Sequence, residues 1–399
     1  MTQLRARALA YAVAALLIVL GALGVMAATT PRTTDFFCMW TGARLAAQGS
    51  DPYAPAVWEP ATAGVSVDIF GRTRAGNCEV RYFYPLTTAV AMLPLGLLPL
   101  EAAAIAWEVL IFAGAAAGLA LIARASGLDR RLALLLALFT LASEMFYGNV
   151  VNAQFGGVTL LALGLLAARD PGLPRSVVGL GLTMLKPHVV TLVPIVRAIS
   201  LRRRALAAAV AVGGLVLLAS FLVQPGWLGA WLGELGGHGL GMFDVSVSLW
   251  RLESALDVPG LAIVLVVLAL GVLGAAAWRA RPLDTVDSLA VAAIAWQVVV
   301  PYGLSYDQLA PIAVASASIL RATFAGRMRY LTVALFLVAV VLPWPLYSRG
   351  KLLTFERSGD LEVLNALVPV AVAGLLAFAL GQRRRQSGQP VAGSVPARS

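Results

Sequence analysis

Charge is what this chain of 399 residues has least of: only 13% of it is Asp, Glu, Lys or Arg, about half the share that soluble domains carry. Acids are the scarcest, 20 against 30 Lys and Arg, and only two of those cations are lysines. Two cysteines, two histidines and scattered carboxylates give no set with metal-ligand spacing, so no metal and no cofactor is expected. The shortage of charge excludes a water-soluble enzyme and a disordered chain. The +10 balance comes from short arginine clusters between apolar runs and not from one basic face, which excludes a nucleic-acid partner. What fills the chain instead is apolar sequence, 60% of it, in runs that recur about every 20 to 30 positions. The composition is that of an all-α polytopic protein embedded in a lipid bilayer.

The first run, 8–28, follows Arg5 and Arg7; it is too long for the core of a signal peptide and lacks a convincing cleavage site, so it reads as an uncleaved first helix. Further runs cover 85–98, 102–123, 132–146, 155–168, 177–199, 205–223, 259–278, 286–304, 309–320, 331–346 and 361–380, which makes about twelve spans. Cytoplasmic loops keep an excess of Lys and Arg. This puts Arg5, Arg7, Arg202 to Arg204, Arg279, Arg281, Arg321, Arg327, Arg329 and Arg383 to Arg385 inside, and 29–83, 224–258, 301–308 and 343–360 on the extracytoplasmic side of the cell membrane. The stretch 85–175 fits less well, because Arg124, Arg130 and Arg131 want the cytoplasm where simple alternation puts them outside. Its runs are short or broken by Pro and Gly, and irregular backbone at membrane depth is tolerated only inside protein or beside a wet cavity. A cavity is expected there. One membrane domain thus covers 1–381, with a polar, disordered cytoplasmic tail at 382–399.

The loop 29–83 holds both cysteines, Cys38 and Cys78. A disulfide between them would suit extracytoplasmic space and stabilise the fold by about 3 to 4 kcal/mol, while two unrelated apolar thiols fit the sequence as well. Phe36, Trp40, Ala43 and Ala47 share one helical face, with Gly49 placed to end the helix before Asp51-Pro52-Tyr53. A short amphipathic helix along the membrane surface is predicted, with Asp35 at its N-terminus, where the helix dipole favours a carboxylate. Asp35 is there either an ordinary cap or a general base towards a hydroxyl at the water–lipid boundary.

Asp35-Phe36-Phe37, Ala43-Arg44-Leu45, Gly49-Ser50-Asp51-Pro52-Tyr53 and Phe83-Tyr84-Pro85-Leu86, followed by Gly148-Asn149-Val150-Val151-Asn152-Ala153-Gln154, Leu185-Lys186-Pro187 and the arginines 202–204, resemble glycosyltransferase family 87, a branch of the GT-C superfamily. The resemblance runs over most of the chain in order and spacing. It implies a GT-C-type bundle and a polyprenyl-phosphate-dependent hexosyltransferase, by family habit a mannosyltransferase. The donor would be a polyprenyl-phosphate-linked sugar and the acceptor a glycan or glycolipid at the extracytoplasmic face, with Asp35 at the position of the family's base. A secondary transporter or lipid flippase is the rival reading; against it stand the lack of an internal repeat and the large, asymmetric first loop.

Lys186 lies in an apolar run, where a charge is costly unless paired or hydrated. With Pro187 breaking the helix, it would hold the donor phosphate, or else snorkel to headgroups. Arg81, near Cys78, would be drawn towards Asp35 by a disulfide and bind phosphate there, or remain a solvated loop arginine. Asn149, Asn152 and Gln154 would bind sugar hydroxyls or bond between helices; His188 is a weaker substrate contact, and Glu144 a second acid or an interface residue. The polar island 301–308 sits where the family often has a histidine. None is present here; Asp307 or Gln308 would substitute for it, or the island is only a satisfied turn, and Tyr306 and Asp307 are counted among the substrate contacts. Trp227, Trp231, His238, Phe243 and Trp250 would form an aromatic belt or cover an acceptor.

Overall fold

The computed structural model describes residues 2–67, 73–75, 78, 81–201, 203–234, 246–323, 329–352 and 362–387. His238, Phe243, Arg202, Arg327 and the tail from 388 lie outside these residues. Helix α1 (Thr2–Thr29) is the N-terminal apolar run, and the turn Pro31–Thr33 joins it to α2 (Asp35–Ala47). A helix stands where the sequence predicts one, but it is buried nearly all round, with Phe37, Cys38, Met39, Thr41, Leu45 and Ala46 as well as Phe36 and Ala43 inside the protein, and so does not lie as an amphipathic helix along a surface. α2 ends at Gly49, whose φ is +69°. The Ser50 amide donates to the Leu45 carbonyl at 2.9 Å and that of Gly49 to Ala46 at 3.1 Å, a Schellman closure that favours a residue without Cβ. Next come α3 (Pro55–Thr62) and an antiparallel ribbon of β1 (Val65–Val67) and β2 (Thr73–Ala75), with Val65 opposite Ala75. That ribbon is the one strand pairing among the described residues of an otherwise helical fold.

The apolar run 85–98 does not make one span. Proline lacks the amide a helix interior needs, and Pro85, Pro94 and Pro99 punctuate the run into α4 (Leu86–Ala91) and α5 (Leu93–Gly96). α6 (Leu100–Ala125), α7 (Arg130–Leu141), α8 (Glu144–Val151), α9 (Gly156–Ala167) and α10 (Gly172–Thr183) follow, and then α11 (Pro187–Val190), α12 (Leu192–Ser200) and α13 (Arg203–Val223). The second half contains α14 (Leu249–Leu256), α15 (Leu261–Arg279), α16 (Thr285–Val299), α17 (Leu309–Thr323), α18 (Arg329–Phe336), α19 (Pro343–Leu352) and α20 (Leu367–Ser387).

Among the described residues six helices are long and apolar enough to cross a membrane: Arg7–Thr29, Leu100–Ala125, Arg203–Val223, Leu261–Arg279, Tyr330–Tyr347 and Val363–Gln382. The pair α7–α8, bent by 57°, makes a seventh when taken as one broken span. The other apolar runs of the expected twelve are shorter helices: the 12 residues of α9 rise about 18 Å, against about 30 Å of hydrocarbon. α4 and α5 are too short to cross, so by length α6 is the next candidate span after α1; were these two consecutive crossings, Arg124, Arg130 and Arg131 at the α6–α7 turn would share a side with Arg5 and Arg7.

Glycine sets the closest helix contact. A Cβ on Gly157 of α9 would lie 2.0 Å from the Ile111 carbonyl oxygen of α6, and one on Gly118 of α6 would lie 2.4 Å from that of Leu160. The two backbones touch, as small residues allow in lipid. Buried side chains form two cores. One is mainly aliphatic, from α6 to α20; the other is aromatic, built on α2, Trp58, Tyr82, Trp107 and Phe155 and containing Cys38 and Cys78.

Candidate functional site

Asp35 is the first residue of α2, and the cap position belongs to Thr34. The α2 terminus is held against the end of α8, because the Asp35 amide donates to the Asn152 carbonyl at 3.1 Å, while Phe36 stacks on Trp107 at 5.9 Å. The Asp35 side chain is half-buried and faces the protein. Oδ2 accepts a short hydrogen bond from Gln154 Nε2 and another, 3.1 Å long, from the Tyr306 hydroxyl.

Gln154 is delivered by a strained turn. Ala153 has φ +50°, a left-handed conformation unfavourable for a residue with a side chain. It is fixed by Trp107 Nε1 donating to the Ala153 carbonyl at 2.8 Å and by the Gln154 amide donating to the Asn149 carbonyl at 2.8 Å. Asn149 is spent on structure: its Nδ2 donates to the Met145 and Tyr306 carbonyls, both at 2.9 Å, and its Oδ1 accepts from the Gly156 amide at 2.6 Å. Asn152 Nδ2 donates to the Gly148 carbonyl at 2.9 Å.

Lys186 occupies the break between α10 and α11, with Pro187 as the first residue of α11. The carbonyls that such a break frees at membrane depth need partners, and side chains supply them. Thr88 donates to Leu185 at 3.0 Å, Trp296 to His188 at 2.6 Å and Gln297 to Val189 at 2.8 Å. The ammonium points inward and is 7% exposed, not snorkelling. It donates to Gln154 Oε1 at 2.8 Å and to Asp307 Oδ1 at 2.5 Å, and lies 4.9 Å from the centre of the Tyr306 ring. His188 Nε2 lies 3.7 Å from Asp307 Oδ2. The turn that presents Tyr306 and Asp307 is anchored on α8 by Asn149 and by Ser305 Oγ, which donates to Glu144 Oε1 at 3.0 Å.

Burial pushes the Asp35 carboxyl above its ordinary range and outweighs the hydrogen bond from Gln154, the Lys186 charge and the Tyr306 hydroxyl. For Asp307 burial acts in the same direction, but Lys186 and His188 together overcome it and hold the carboxyl well below the usual range. Two carboxylates in one site are thus driven apart, the pattern by which acid–base roles divide. Asp307 is a permanent counter-ion, and Asp35 is the more basic of the two.

Six residues singled out from the sequence meet here: Asp35, Gln154, Lys186, His188, Tyr306 and Asp307. Asn149 and Asn152 support them from below. Arg81 goes elsewhere, to Glu234 Oε1 at 2.8 Å. The cysteines are joined, Cα to Cα 5.4 Å, and Trp58 Nε1 donates to the Cys78 carbonyl at 2.8 Å. The site has two further members, Tyr84 and Tyr302. At Tyr84 burial together with the Asp35 charge raises the phenol well above the usual value; Tyr302 packs its ring 5.7 Å from His188. The signal for Tyr84 was its place in Phe83-Tyr84-Pro85-Leu86, and for Tyr302 the polar island it opens.

A bundle of apolar helices with an acid, an amide and an ammonium linked at a broken helix defines a multi-pass membrane protein with a buried polar centre. The profile of glycosyltransferase family 87 matches residues 82–305, over half of the chain, and the chain belongs to this family. It is a membrane glycosyltransferase. The matched segment carries Tyr84, Gln154, Lys186 and His188; Asp35, Tyr306 and Asp307 lie outside it. Neither the curated proteins nor the solved structures searched contain a match.

Proposed function

We propose that the protein transfers a hexosyl group, mannose by preference, from a polyprenyl-phosphate carrier to a hydroxyl of a glycan or glycolipid acceptor at the extracytoplasmic face of the cell membrane. The observation that carries this reading is the link from Asp35 through Gln154 to Lys186, which puts a base and a cation at opposite ends of one amide. In the reaction Asp35 takes the proton of the acceptor hydroxyl as its oxygen attacks the anomeric carbon. The bond from that carbon to the phosphate oxygen breaks, and the electron pair leaves with the polyprenyl phosphate. An ammonium has three donors, and Lys186 spends two on Gln154 and Asp307; the third is left for the departing phosphate. Arg81, committed to Glu234, is not needed for this step. The disulfide supports the extracytoplasmic assignment, since such bonds persist in oxidising compartments.

The test is transfer from radiolabelled polyprenyl-phosphate-mannose to membrane glycolipids by the purified protein in nanodiscs. Asp35→Asn is expected to lower turnover by about 10²- to 10⁴-fold, the contribution of a positioned base, with folding intact. Unchanged turnover in that variant would dismiss the base, and lipid or solute movement without bond formation would replace the enzyme with a transporter.

A further inference from the structure

Gln154 is 1% exposed, and both ends of its amide are engaged by protein. The orientation is chemically fixed: an ammonium offers only donors and a carboxylate only acceptors, so Oε1 must face Lys186 and Nε2 must face Asp35, as they do. No other neutral side chain of this length has a donor and an acceptor at one tip. A carboxylate would repel Asp35, and a leucine would leave the base and the ammonium unlinked. The backbone is strained to deliver this residue, with Ala153 at φ +50° locked between Trp107 and Asn149. Strain of this kind persists only where the surroundings over-determine it, and it gathers at functional sites.

We propose that Gln154 is a positioning residue for transfer and not a sugar ligand: by occupying Oδ2 of Asp35 while held by Lys186, it fixes the rotamer of the base and couples the base to the cation at the donor. This rests on Asp35 being the general base. The titratable groups facing Asp35 are Tyr84 from the 81–85 segment, Lys186 from the α10–α11 break, and Tyr302, Tyr306 and Asp307 from the 301–308 turn, with His188 behind Asp307. Tyr306 also meets both ends, its hydroxyl on Asp35 and its ring 4.9 Å from Lys186 Nζ, but Gln154 alone among these side chains hydrogen-bonds both Asp35 and Lys186.

The full-length protein in nanodiscs is titrated by infrared spectroscopy, the Asp35 carboxyl band being the one lost in Asp35→Asn. Gln154→Leu removes the donor; Gln154→Glu keeps the size and replaces the donor with an acid, and serves if the leucine variant does not fold. In either variant the Asp35 midpoint is expected to rise by about one pH unit or more, the loss of one hydrogen bond to a charged group. With polyprenyl-phosphate-mannose as donor, the acid limb of kcat/KM should move up by the same amount, and the plateau at high pH should fall because the base is no longer held in its rotamer. An unmoved midpoint overturns the proposal, and so does a rate lowered equally at every pH, which would assign Gln154 to packing. Transfer that survives Asp35→Asn removes the base reading beneath it, whereas an unmoved midpoint with transfer lost in Asp35→Asn removes this inference alone.

Discussion

The ammonium of Lys186 lies 2.5 Å from Asp307 Oδ1, with the two side chains 7% and 5% exposed. A buried pair of this kind gains little over an apolar pair, but removing one partner strands the other charge. Lys186→Met is therefore expected to destabilise the protein by about 3 to 5 kcal/mol, and the double variant Lys186→Met with Asp307→Leu to recover most of that loss. Neither should transfer sugar. Thermal unfolding in detergent and a transfer assay on the same preparations check both halves; stability that fails to return in the double variant would show that the pair's worth lies in its attraction.

The pH dependence follows from the opposite shifts of the two acids. Asp35 is raised by burial, so its ionised, active form appears only above the ordinary carboxylate value of about 4, and kcat/KM should climb with pH through that raised midpoint. For stability the signs differ. Asp307, held low by Lys186 and His188 against burial, contributes stability that is present above about pH 4 and lost as pH falls through its folded value. Asp35 contributes stability below about pH 4, lost as pH rises through its folded value. Asp307→Asn should flatten the acid side of a plot of Tm against pH, and Asp35→Asn should raise Tm at neutral pH while abolishing turnover. A neutral-pH Tm lowered by Asp35→Asn would contradict the burial penalty.

Ala153 offers a test of the strained turn. Its φ of +50° suits glycine, and the relief of about 1 to 2 kcal/mol is set against a glycine entropy cost of about 0.4 to 1 kcal/mol. Ala153→Gly should hold or slightly raise Tm. Ala153→Val, β-branched in a left-handed position, should lower both Tm and transfer. Equal behaviour of the two variants would mean that the turn relaxes freely.

Sequence legibility followed the range of the interactions. The α2 helix could be read from Phe36, Trp40, Ala43, Ala47 and Gly49 because its period and its cap are local. The break at Lys186-Pro187 was equally local. What could not be read is how far an apolar run continues as one helix: 85–98 and 177–199 look like spans by composition, but Pro85, Pro94, Pro99 and Pro187 divide them. The partners of the functional groups were also hidden. Gln154 meets Asp35 across 119 positions and Lys186 meets Asp307 across 121, and no periodicity reports such meetings. For Asn149 the sequence left a sugar contact and a bond between helices both open, because amides do both jobs, and its three hydrogen bonds are to protein. A Cys38–Cys78 disulfide was expected to draw Arg81 towards Asp35 unless it stayed a solvated loop arginine; the bond is there, yet Arg81 pairs with Glu234, 153 positions away.

The Tyr53 hydroxyl donates to the Tyr84 carbonyl at 2.7 Å, and the Cys38–Cys78 bond ties the same stretch of chain back to α2. Between these tethers lie about two dozen positions, Trp58 of the aromatic core among them, and loop length costs little once the ends are fixed. A change of length there that spares Trp58 should therefore leave Asp35 and its partners at their address.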